Sequence, residues 1–113
     1  MKRRILPAPA MLCALSLGLL APLGAAHAAS AWERAHPRRD QVLDRTQHLN
    51  ARIRRERREG ELTGAQAHQL HGEVRHTRIE QRAMARSNGG YITKAQQAGL
   101  NQQENAISRQ VGR

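Results

Sequence analysis

Two seven-residue stretches thirty positions apart constrain this chain more than any other feature. Gly60-Glu61-Leu62-Thr63-Gly64-Ala65-Gln66 returns as Gly90-Tyr91-Ile92-Thr93-Lys94-Ala95-Gln96, and Leu70 and Leu100 follow at the same offset. Each stretch reads as a helix start. Thr63 stands at an N-cap, where its hydroxyl can accept from the Gln66 backbone N–H while the Gln66 side chain reaches back to the Thr63 N–H. Leu62, just before the cap, can fold over Ala67 as a hydrophobic staple. Thr93, Gln96 and Ile92 repeat the arrangement, and Gly60 and Gly90 supply the turn ahead of each. A cap of this kind is worth about 1 kcal/mol. A unit copied within so short a chain makes the architecture a set of like helical elements.

The starts divide the rest of the chain. Residues 38–59 contain no Gly or Pro and follow Pro37, a helix entrance. Val42, Thr46, Leu49 and Ile53 lie 4, 3 and 4 apart, on one stripe. A second helix is expected over 63–86, with Ala67, Leu70, Val74, Thr77, Gln81 and Met84 aligned, and Asn88-Gly89-Gly90 stops it. A third, over 93–110, carries Leu100, Ile107 and Val111, with Glu104 in the gap of the stripe. Residues 29–37 read as a flexible leader. Such narrow stripes suit helices packed side by side along a seam. The expected fold is all-α: an elongated antiparallel hairpin or an open three-helix arrangement within 38–113.

Residues 1–28 read as a cleaved signal peptide. Lys2, Arg3 and Arg4 precede an apolar run over 11–20, and Ala26-His27-Ala28 offers a cleavage site. The run is too short to span a bilayer, which takes roughly 20 residues. Cys13, the one cysteine, leaves with the signal, so thiol and disulfide chemistry leave too. The product is expected to be periplasmic or secreted, with no integral membrane segment after cleavage. That address makes nucleic acid an unexpected partner.

Composition limits what the mature chain can do. Removing the three basic residues of the signal from 19 leaves 16 against 9 acidic ones, a net charge of +7. Leu, Ile and Val make up about 14% of its 85 residues, below the roughly 20% usual for a chain that folds on its own core. It is one domain at most, and a partner or a second copy, as a homo-oligomer, would help to order it.

The densest charge lies at Arg52, Arg54, Arg55, Arg57 and Arg58, interrupted by Glu56 and Glu59. Arg52–Glu56 and Arg55–Glu59 are i,i+4 pairs, and cations suit a helix C-terminus. One reading is a solvated, dipole-matched helix end. The other is an anion or partner site at Arg54, Arg55, Arg57 and Arg58 for lipopolysaccharide phosphates, anionic headgroups or acidic proteins. His68 and His71, at i,i+3, are a weak metal pair, since a specific site takes three or four ligands. The Ser87–Gln96 turn has the Gly and Ile of a calcium loop but no carboxylate. No nucleophile–base pairing or phosphate loop suggests catalysis, and no cofactor is implied.

The Leu-Thr-x-x-Gln of Leu62–Gln66, repeated with Ile92 in place of Leu, resembles the LTxxQ motifs of the CpxP/Spy periplasmic family. The repeat is also similar to exported proteobacterial proteins with tandem Gly-x-Leu-Thr-x-x-[Glu/Gln] units, from which no activity carries over. The CpxP/Spy resemblance implies an all-helical, exported, basic protein of a family that includes ATP-independent chaperones cradling unfolded clients on a concave surface. The expected function is therefore that of a non-enzymatic envelope-stress or chaperone-like binding factor. The alternative is a basic binder of anionic envelope polymers such as lipopolysaccharide.

Overall fold

A computed structural model describes residues 29–112; the expected signal peptide, 1–28, lies outside the described residues. The described part is all-α, with helices α1 (Ala31–Ala35), α2 (Pro37–Arg58), α3 (Gly64–Arg86) and α4 (Lys94–Val111). The long helices begin and end within two residues of the positions expected. Residues 31–35, expected as part of a flexible leader, instead form a helical turn. Trp32 there stacks on His36, and His36 stacks on Tyr91, with ring centroids 4.6 and 4.7 Å apart. Arg39 lies over the Trp32 ring, 5.1 Å from its centroid, and donates to Gln81 Oε1 at 2.9 Å and the Gly90 carbonyl at 3.1 Å. The start of α2 is thereby tied to the α3–α4 turn.

Local chemistry sets the helix limits. Pro37 opens α2, where a missing N–H costs nothing. At its end Gly60 adopts φ 81°, and the Glu61 and Gly60 N–H groups donate back to Glu56 and Arg57 carbonyls. That is the hydrogen-bond pattern of a Schellman cap. Both capping boxes form, with matching geometry. Thr63 and Thr93 sit at φ,ψ of −75°, 165° and −76°, 166°, each with bonds of 2.8 and 3.0 Å to its glutamine.

The sequence left the arrangement as a hairpin or an open set of three; the structure closes it. Each of α2, α3 and α4 packs against the other two, so every stripe is covered from both sides within one chain. The repeat then serves opposite ends of the bundle. Leu62, Ala67 and Leu70 join Leu49, Ile53, Val74, Ile107 and Val111 in one apolar cluster. Ile92 and Leu100 join Val42 and Ala85 in the other, with Met84 against it. Five buried polar side chains, Thr46, Glu56, Thr77, Gln81 and Glu104, also lie on the inward stripes. Glu104 is fully buried, and neither of its carboxylate oxygens has a hydrogen-bond partner. Its ion-pair neighbour among the described residues is Arg45, 3.8 Å away. Burial pushes its pKa up to about 7, with Arg45 pulling the other way.

Candidate anion-binding face

Helix α3 is amphipathic in an unusual sense. Ala67, Leu70, Val74, Thr77, Gln81 and Ala85 point into the bundle. Arg75, Arg78 and Arg82, spaced 3 and 4, occupy one side of the exposed remainder. With Asn50 of α2, and His71 and Ile79 of α3, they line a hollow of about 500 Å³ between the two helices. No carboxylate lines it. None of the three guanidinium groups makes a hydrogen bond or ion pair with another described residue; Arg45–Glu104 and His76–Glu80 are ion pairs found elsewhere.

His71 reports on the charge of this face. Its Nδ1–H donates to Asn50 Oδ1 at 2.7 Å, which fixes the ring between α2 and α3. Its pKa is lowered from 6.5, first by burial, then by the positive charge of Arg54, His68 and Arg75. The acidic residues lie outside this hollow. At the start of α2, Asp40 has its pKa raised by burial and by the neighbouring carboxylates of Asp44 and Glu33. The α2–α3 hollow is thus lined by cations and by no carboxylate, while other arginines lie elsewhere on the bundle.

The four arginines singled out by density, Arg54, Arg55, Arg57 and Arg58, do not act as one cluster. Arg54 contributes to the field at His71. The Arg57 guanidinium lies over the start of α3, close enough that a Cβ on Gly64 would be 3.4 Å from it. Arg55 borders a hollow that also contains Glu56, Glu59 and Glu61, while Arg58 is exposed. The expected pairs Arg52–Glu56 and Arg55–Glu59 are not formed. Arg52 instead turns to α4, donating to Ser108 Oγ at 2.7 Å and to the Gly112 carbonyl. The end of α4 offers Arg52 fixed acceptors, while Glu56 is itself buried.

His68 and His71 are not brought together with a third ligand: among the described residues no three His, Cys, Asp or Glu side chains meet to hold a metal ion. Sequence reading passed over Arg75, Arg78, Ile79 and Arg82. Their spacing was legible, but nothing local says that the groove beside them lacks acids. Comparison with known proteins finds no matching family model, no matching curated protein and no matching solved structure.

Proposed function

We propose that this protein is a non-enzymatic binding protein of the cell envelope whose α2–α3 face engages anionic components, such as the phosphates of lipopolysaccharide. The observation that carries this reading is the set Arg75, Arg78 and Arg82: three guanidinium groups without a partner among the described residues, beside a histidine under positive field, in a groove without carboxylates. Unscreened cations gathered this way attract anions, and planar forked donors suit phosphate oxygens. The chaperone-like alternative needs apolar surface for unfolded clients. The described large apolar side chains are buried, or half-buried in the case of Leu43 and Met84, except Trp32, Ile79 and Tyr91, of which two are occupied in the His36 stack. The anionic reading is therefore the better supported.

The test uses the chain from Ala29 onward, whose apolar clusters lie wholly within it, and inorganic polyphosphate as the soluble probe. Binding is expected to vanish by about 0.5 M salt, where the Debye length falls to roughly 4 Å. Arg75→Glu/Arg78→Glu should lose at least tenfold in affinity. Lys94→Glu/Arg109→Glu, the same charge change on α4, should lose much less. Equal losses in the two variants would show that net charge alone drives binding and would sink the localised face.

A further inference from the structure

One side chain on the arginine face does not suit a purely polyanionic ligand. Ile79 is 52% exposed and lies among Arg75, Arg78 and Arg82 in the lining of the α2–α3 hollow. It stands one helical turn from Arg75 and from Arg82, and next to Arg78 in sequence. The other large aliphatic side chains of α3, Leu70 and Val74, are buried. An isoleucine left in water among cations adds nothing to contact with a soluble chain of phosphates, which meet only the guanidinium heads. It does add to contact with a partner that presents anion and hydrocarbon side by side. The stems of the three arginines extend the same apolar character, since their methylenes can lie against hydrocarbon while the heads stay at the charged level.

We propose that this face docks on a lipid surface carrying anionic headgroups, with Arg75, Arg78 and Arg82 on the phosphates and Ile79 entering the boundary between headgroups and acyl chains. The inference rests on the anionic reading of the face and specifies its partner. The contact is peripheral: no helix among the described residues is long and apolar enough to cross a membrane, whereas a helix with one basic, partly apolar face can lie in the interface plane. Each arginine near an anionic surface is worth roughly fivefold in affinity, and the three together roughly 100-fold. Burying the exposed part of Ile79 adds roughly tenfold.

The experiment compares two ligands across the same variants of the chain from Ala29. One ligand is inorganic polyphosphate. The other is vesicles of phosphatidylcholine containing phosphatidylglycerol, with pure phosphatidylcholine vesicles as the uncharged control, read by co-sedimentation. Circular dichroism first checks that each variant keeps its helices. Binding should require the anionic lipid, and Arg75→Glu/Arg78→Glu should weaken it at least tenfold. Ile79→Asn should lower the ratio of vesicle affinity to polyphosphate affinity roughly tenfold, and Ile79→Leu should restore that ratio. An unchanged ratio in Ile79→Asn overturns the lipid proposal while leaving the basic face intact. Failure to bind either ligand overturns both.

Discussion

Helix α2 has two flanks, and they treat arginine in opposite ways. On the flank toward α4, Arg45 donates to Asn101 Oδ1 at 3.1 Å and to Asn105 Oδ1, and stands 3.8 Å from Glu104. Arg52 caps the end of α4 through Ser108 and Gly112. On the flank toward α3, Arg54 meets a histidine rather than an acceptor, and α3 adds Arg75, Arg78 and Arg82 without a carboxylate. The first flank uses cations to tie helices together. The second leaves them facing solvent. In a chain this basic, the number of arginines says little; whether each already has an acceptor separates a structural cation from one free to bind.

The comparison breaks if the flanks respond alike to mutation. The largest effect expected is on binding. Replacing Arg75, Arg78 and Arg82 together by Glu should cost about 100-fold or more in affinity for anionic vesicles, with the melting temperature nearly unchanged. Co-sedimentation and thermal denaturation on the same samples check both halves of that statement.

Comparable in size is the effect of the buried carboxylate on the structural flank. The Glu104 pKa is about 7 in the folded bundle against 4.5 for the unperturbed group, so between those values the folded state holds a proton that the unfolded state has released. Its contribution is therefore fully present below about pH 4.5 and lost as pH rises through about 7. Glu104→Gln removes a penalty of about 3 kcal/mol at pH 8 and should raise the melting temperature there, with little gain at pH 4.5. The wild-type-minus-variant difference isolates this group from His71, which works in the opposite direction: its lowered pKa costs stability as pH falls below 6.5. A pH-independent difference would show that Glu104 is solvated.

Smaller again is Arg52→Ala. It should lower stability by about 1 kcal/mol through loss of its bonds to α4, with vesicle affinity falling far less than in the α3 variants. The smallest change sharpens the role of the repeat: Thr63→Ala and Thr93→Ala should each cost about 1 kcal/mol, and their effects should add because the two caps serve opposite apolar clusters. Urea denaturation of the two single variants and the double variant measures this.

Helix starts and stops were legible to within two residues because their causes are local. A threonine, a glutamine three residues on and a glycine before them settle a helix start without the rest of the chain. The stripe also exposed Glu104 as a polar residue on an inward face. The leader was misread because what orders it is remote: Trp32 and His36 are held by Tyr91, far along the sequence. The arginines of 52–58 were grouped by density, yet the fold sends Arg52 to α4, Arg57 to the start of α3 and Arg55 beside the glutamates.

That this chain is helical, where its three long helices begin and most of the side chains they turn inward can be read along the sequence, although Ala85 takes the inward place expected of Met84. Each of those features is set by hydrogen bonds and periodicity over a few residues. That the three helices close on one another, and which cations are already bound, follows from their packing alone. The acceptors of Arg45 and Arg52 lie 56 residues or more away, and Arg75, Arg78 and Arg82 face a groove whose other wall is α2. Whether a charge is satisfied depends on what stands opposite it in space.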